Sequence, residues 1–399
     1  RVYYDWIPLI RHLWADILAP ANNTWLNTTD VDVEWDIDGN LVAASGAGEL
    51  YLNDTYIYTI DYPGRDNCSI TIPSEGQYIL RLRAHDTYGG WLDNKTKFGI
   101  DLTPPELVWI SPANNTWFGM NSCYWEYYEG AFCYVACLYA NITVSWCFKD
   151  TLSGVSHYVI KYNHTTHSLG ATTHYTVRLL VYKIVECYIP SPINISSSYS
   201  QAFQHHNITI LAYDKAGNCR SILIHVHVDP WPPKVDITAA HASYIANLQQ
   251  LRVHVEWEGE DPAYTDAYNT TFEPSGIAHY TVRIGYLSSD GTVWGSWVDV
   301  GTATEATISM NVEFGKILQR YIIIWWVVQV RAYDFANNTA TDTYMPLLPL
   351  IADPPTSTSS SINTPSESDS TTTLTPLITT TSLLFAIIFL LALAVHHLK

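Results

Sequence analysis

DVDVEWDIDGN at residues 30–40, NITVSWCFKD at 141–150 and RVHVEWEGED at 252–261 are three versions of one pattern. Val31, Val33 and Trp35 alternate with polar residues, as do Ile142, Val144 and Trp146, and Val253, Val255 and Trp257. A period of two with the apolar residues on one side predicts a strand with one buried face. The three tryptophans are 111 residues apart, so the chain is a threefold repeat. A unit that long exceeds the repeats of ordinary solenoids and is large enough to bury a core of its own.

Two further elements keep step with the tryptophans. An apolar run enters Leu82-Arg83-Ala84-His85-Asp86, Ile210-Leu211-Ala212-Tyr213-Asp214 and Val330-Arg331-Ala332-Tyr333-Asp334. A second Asp then precedes a proline pair: Asp101 before Pro104-Pro105, Asp229 before Pro232-Pro233, and Asp353 before Pro354-Pro355. Short strands separated by Gly, Asn, Asp and Pro clusters, with no sustained helical period before Leu377, predict an all-β fold of three tandem sandwiches at 1–102, 103–229 and 230–353. The second and third units also share Ser153-Gly154 to His157-Tyr158 and Ser275-Gly276 to His279-Tyr280, whose matching histidines suggest a structural hydrogen bond. The motif PANNTW opens the first and second units at 20–25 and 112–117, but the second runs 29 residues from there to its core tryptophan against 10 in the first. That difference predicts an inserted loop carrying Cys123, Cys133 and Cys137.

Charged residues make up only 15% of the 399, and the net charge is −18. A chain without a basic patch has nothing to neutralise phosphates, which excludes nucleic acid as a partner. Twelve asparagines begin an N-x-[ST] sequon: Asn22, Asn27, Asn53, Asn67, Asn94, Asn114, Asn141, Asn163, Asn194, Asn207, Asn269 and Asn337. So many sequons in one chain point to N-linked glycans, which require export and an exposed surface. Six of the seven cysteines fall in the second unit, Cys123, Cys133, Cys137, Cys147, Cys187 and Cys219, and in an exported domain they are candidates for up to three disulfides. A zinc site is the rival reading, but Cys133 and Cys137 have no second pair at finger spacing. Cys68 has no partner in its own unit.

Residues 377–398, LITTTSLLFAIIFLLALAVHHL, would span about 33 Å as a helix against a bilayer core of about 30 Å. A short tail with Lys399 suits the cytoplasmic side, leaving the N-terminus outside the cell membrane. Residues 354–376, rich in Ser, Thr and Pro, have almost nothing to form a core and predict a disordered stalk. The chain opens at Arg1 rather than Met, as a processed exported protein would. Residues 1–13, RVYYDWIPLIRHL, predict either a docking segment or a first strand.

The run Ala212-Tyr213-Asp214-Lys215-Ala216-Gly217-Asn218, leading through a strand to Asp229 and a proline pair, resembles the tandem immunoglobulin-like domains of archaeal and bacterial cell-surface proteins. Tandem sandwiches followed by a Ser/Thr stalk and an anchor are similar in build to archaeal surface-layer membrane-stalk proteins. The resemblance implies a structural protein that supports or tethers an outer envelope lattice, partnered by a lattice protein or by itself. The same build serves an adhesin or receptor for an external cell, glycan or surface, and also a viral spike.

No nucleophile elbow, zincin helix or Walker loop is present, and a non-enzymatic role is expected, with no catalytic residue and no cofactor beyond the glycans. His225 and His227 share one side of a strand near His205 and His206, an arrangement usual for surface histidines. Asp86 and Asp101 are 15 residues apart, as are Asp214 and Asp229, and each pair is a calcium candidate if both members reach a domain junction. In the alternative, the first Asp of each pair bonds its own turn and the second caps the proline linker.

Overall fold

The computed structural model describes residues 13–39, 46–130, 133–189, 195–288, 290–312 and 322–352. The chain divides into units 1–354 and 355–399, and every described residue belongs to the first. The expected stalk, the membrane helix, residues 1–12, Asn194 and Asp353 lie outside the described residues. Among the described residues no helix is long and apolar enough to cross a membrane, and the helical turns are two short 3-10 segments, Met120–Ser122 and Ala246–Leu248.

The other regular elements are strands, in the same core arrangement three times. One sheet of each sandwich places the tryptophan strand between an opening strand and a later one. These are Trp14–Ala19, Asp30–Asp38 and Gly64–Thr71 in the first sandwich, and Glu106–Ser111, Cys133–Lys149 and His174–Ile189 in the second. In the third they are Lys234–Ile245, Gln250–Glu260 and Glu305–Asn311. The facing sheet centres on the strand that ends in the repeated Asp: Gly76–His85, His205–Asp214 or Trp326–Asp334. It pairs on one side with Gly48–Leu52, Val155–Tyr162 or Ile277–Ser288, and on the other with Trp91–Ile100, Cys219–Val228 or Thr339–Tyr344. Antiparallel neighbours drawn from distant parts of each repeat make this the immunoglobulin-like, fibronectin III-type sandwich.

The alternation seen in the sequence decides which side is buried. Trp35 and Trp146 are 0% exposed and Trp257 is 2% exposed. Each meets a tyrosine ring from the facing sheet: Tyr58 at 5.8 Å, Tyr158 at 5.6 Å and Tyr280 at 5.6 Å. Leu82 and Ala84, Ile210 and Ala212, and Val330 and Ala332 fill the opposite wall of the three cores.

The expected inserted loop is instead a sheet. Cys123–Glu129 pairs with the first half of the 17-residue strand Cys133–Lys149, which runs on beside His174–Ile189 and the edge strand Ile195–Ala202. Its residues YWEYYE and CYVACLY are aromatic and apolar enough to satisfy their backbone groups by pairing. Of the six candidate cysteines, Cys133 and Cys187 stand opposite each other and are joined, while Cys123, Cys137, Cys147 and Cys219 are free thiols, as is Cys68. Burial pushes the Cys123 thiol up to about 11 and raises that of Cys68, so both are protonated and unreactive at neutral pH. The shared histidines also differ from expectation. Their common contact is a ring stack, His157 on Tyr213 at 4.7 Å and His279 on Tyr333 at 4.4 Å, the latter residue of each pair coming from the repeated Ala-Tyr-Asp.

Candidate functional site at the domain junctions

The buried carboxylates collect where one sandwich meets the next. Asp101 directly follows the last strand of the first sandwich and is 0% exposed. Its Oδ1 accepts from the Thr103 amide at 3.1 Å, its Oδ2 from the Ser153 amide at 3.0 Å, and its main-chain oxygen from Asn218 Nδ2 at 2.7 Å. Asp214 ends its strand and is held by Asn218, whose amide reaches Oδ1 and whose Nδ2 reaches Oδ2, both at 2.8 Å. Asp150 follows the tryptophan strand and accepts from the Leu152 and Gly154 amides at 3.1 and 2.6 Å. One oxygen from each of Asp101, Asp150 and Asp214 lies within 4.8 Å of the other two.

The second junction repeats the main bonds of the first. Asp229 accepts from the Trp231 amide at 3.1 Å and the Ser275 amide at 2.7 Å, and its main-chain oxygen accepts from Asn338 Nδ2 at 2.7 Å. Asp334 is clasped by the Asn338 amide and Nδ2, both at 2.8 Å, and Asp261 accepts from the Gly276 amide at 2.7 Å. Asp229, Asp261 and Asp334 also bring one oxygen each within 4.8 Å of one another.

Three carboxylates at this spacing repel by several kcal/mol per pair at an effective dielectric of about 20, so full ionisation requires compensation beyond backbone amides. Burial, with the charges of Asp229 and Asp261 behind it, pushes the Asp334 carboxyl up to about 6. Burial raises Asp229 and Asp261 as well. A shared proton or a bound cation relieves such a cluster, and oxygen-only ligands suit a hard divalent ion. The Ser153 hydroxyl, buried at the first junction, has no hydrogen-bond partner among the described residues, whereas its counterpart Ser275 Oγ is 3.4 Å from Asp261 Oδ2.

The calcium pairing expected from the sequence is therefore corrected. Asp86 and Asp101 do not share a site, nor do Asp214 and Asp229, because a full strand separates the members of each pair and carries them to opposite ends of a sandwich. Asp101 meets Asp214, and Asp229 meets Asp334. Asp86 holds its own turn through the Tyr88 and Gly90 amides, both at 2.7 Å. The residues missed were Asp150 and Asp261. Each is the fourth residue after its core tryptophan, where the first repeat has Gly39.

The second junction has an additional lock. Eighteen residues separate Trp257 from Ser275, against seven between Trp146 and Ser153, and the excess forms the hairpin Tyr264–Thr265 with Thr271–Phe272. Phe272 is 1% exposed and sits in the core of the second sandwich, against Tyr182 at 4.9 Å. Tyr264 stacks on Trp231 at 3.9 Å, Tyr182 donates to Asp266, and Tyr268 donates to Glu186. Ser200 Oγ donates to Thr270 Oγ1 at 2.6 Å, and the Glu273 amide to Gln204 Oε1 at 2.7 Å. Close approach also fixes Gly119, where a Cβ would stand 2.4 Å from the Ala336 carbonyl and from Asn338 Oδ1.

Of the eleven sequon asparagines among the described residues, Asn22, Asn27, Asn53, Asn67, Asn114, Asn141, Asn163, Asn207, Asn269 and Asn337 are exposed. Asn94 alone of these eleven is half-buried, its Nδ2 donating to the Ala15 carbonyl and to Asp16 Oδ1, both at 3.0 Å. Among the histidines, His205 and His227 face each other across two strands with their Nδ1 atoms 2.6 Å apart, and His225 Nδ1 bonds Asn207 Oδ1 at 2.6 Å.

No family model matches the chain, and no curated protein does. Among solved structures it is similar to the fibronectin(III)-like modules of Clostridium thermocellum CbhA, at 15% identity and a TM-score of 0.32 over 54% of this chain and 95% of that one. It is also similar to a solved chain from a 1.5-MDa bacterial ice-binding adhesin, at 13% identity and a TM-score of 0.32 over 84% of this chain and 96% of that solved chain. The FN1–FN3 domains of chicken CNTN1 align at 11% identity and 0.28 over 83% and 96%.

Proposed function

We propose that this chain is a glycosylated, membrane-anchored cell-surface protein of structural function, which supports or tethers an outer envelope lattice. The observation that carries the reading is the placement of the sequons, ten of eleven on exposed positions and none buried. Glycan addition selects surface asparagines with an accessible side-chain amide. In this reading the stalk at 354–376 and the helix at 377–398 hold the sandwiches to the bilayer, and the sandwiches make the contacts with a lattice protein. The junction triads take calcium, which neutralises carboxylates that the fold has already gathered. No catalytic role is assigned to any residue.

A second reading, an adhesin or receptor, is favoured by the extended sheet of the second sandwich. Tyr127 and Tyr188 are each about 60% exposed there, with Tyr128 and Tyr199 also exposed. Exposed tyrosines on a rigid sheet are a common form of contact surface. Cross-linking mass spectrometry on intact cell envelopes separates the two readings. Abundant links from the sandwiches to one major envelope protein are expected for a lattice support. A scarce chain without an envelope partner would replace that reading with adhesion.

A further inference from the structure

We infer that the third sandwich carries a surface site for a borderline divalent transition cation of the zinc class, built from His254, Glu256 and Glu305 with Thr307 as the positioning residue. The site lies on the solvent side of the tryptophan sheet, apart from both junction triads. His254 and Glu256 are two residues apart in Gln250–Glu260 and so share a face. Across the neighbouring strand Glu305–Asn311, Glu305 stands opposite Glu256, and Thr307 opposite His254.

Three features of this group point to a cation rather than to a solvated face. The first is spacing. His254 Nε2 is 3.3 Å from Glu256 Oε1 and 4.0 Å from Glu305 Oε2, and one ligand atom from each of the three residues lies within 4.8 Å of the others. Bonds of about 2.1 Å to a tetrahedral ion would set ligand atoms about 3.4 Å apart, which small side-chain rotations supply here. The second is orientation. His254 Nδ1 is 3.1 Å from Thr307 Oγ1 and Nε2 hydrogen-bonds Glu256 Oε1 at 3.3 Å, so with the hydroxyl holding Nδ1 a cation would take the place of the Nε2 proton toward the carboxylates. The third is charge. Two glutamates directly opposed across a strand pair disfavour the sheet unless something positive lies between them.

The mixed donor set decides the ion. An imidazole with two carboxylates suits zinc, copper or nickel better than calcium or magnesium, whose ligands are oxygens. A cation on Nε2 occupies the place of a proton there, so binding to the protonated imidazole releases one proton to solvent. His241 stands opposite His254 on the strand to the other side and is exposed, outside the group of three whose ligand atoms converge. Arg252, Asp236 and Glu258 are the next charged residues on these strands, with the Lys234–Glu260 ion pair at 3.7 Å beyond them.

The test is calorimetric titration of the full-length, detergent-solubilised chain with Zn²⁺, in buffer holding excess Ca²⁺ so that oxygen-only sites are already filled. His254→Gln is expected to remove one zinc equivalent, and Thr307→Val to weaken that equivalent about tenfold. Glu305→Gln should weaken it by at least as much. His227→Gln, on the second sandwich, should leave this equivalent in place. All four positions face solvent or lie at the strand surface, and an unchanged melting temperature without zinc verifies that each variant is folded. Zinc uptake by His254→Gln and Glu305→Gln equal to that of the parent would overturn the assignment, as would a parent that takes up no zinc.

Discussion

Trp35, Trp146 and Trp257 each bury an indole N–H with no hydrogen-bond acceptor among the described residues, and each indole packs against a tyrosine ring. The residue therefore serves its core through volume and ring contact. Trp146→Phe is expected to cost less than about 2 kcal/mol, and Trp146→Ala about 3–5 kcal/mol, by denaturant melts. Equal costs would mean that the ring contact contributes nothing.

Asp334 makes a pH prediction at the same scale. Its folded carboxyl titrates at about 6 against 3.8 for the ordinary group, so between those values the folded state binds the proton better. Its contribution is present in full below about 3.8 and is lost as pH rises through 6, on the order of 3 kcal/mol. Buried His206 acts in the opposite direction. Burial pushes its imidazole down to about 4 from 6.5, so its contribution is lost as pH falls through that range. Comparing Asp334→Asn with the parent in chelator isolates the carboxylate. The variant's relative stability is expected to rise between pH 4 and 7, and a flat difference would remove Asp334 from the account.

At the scale of elements, the hairpin Tyr264–Thr265 and Thr271–Phe272 distinguishes the two junctions. The first is held by its aspartates and Asn218, and the second adds a phenylalanine inserted into the neighbouring core. Phe272→Ala is expected to speed hydrogen exchange in the hairpin and in Ile195–Ala202 while leaving the first sandwich unchanged. Uniform acceleration through all three sandwiches would mean that the hairpin is no local lock.

The sequence makes the strands legible where alternation is strict, because a face of Val, Ile and Trp every second residue has one stable arrangement. Asp101, Asp214, Asp229 and Asp334 are legible as recurrent acids, but their partners are not. Spacing along the chain places Asp214 with Asp229, whereas the strand between them carries each to a different junction. Asp150 and Asp261 escape detection because the first repeat, having Gly39, breaks the pattern. The inserted segment at Cys123–Glu129 reads as a loop because its strand partner, the first half of Cys133–Lys149, belongs to the same insertion.

For the whole molecule, calcium bound at the two junctions as proposed would link the sandwiches thermodynamically. Millimolar calcium is expected to raise the melting temperature above that in chelator, and to do so more at pH 7 than at pH 5, where protons compensate the same carboxylates. No shift at either pH would end the calcium reading and leave the triads as hydrogen-bonded turns.

The central claim is that this is an exported surface protein whose sandwiches carry glycans. Site-resolved glycopeptide mass spectrometry of the protein isolated from its native membrane tests it most directly. The account predicts glycans on most of the ten exposed sequon asparagines and a bare Asn94, whose side-chain amide is committed to Ala15 and Asp16. Unmodified asparagine at all of these sites would contradict it.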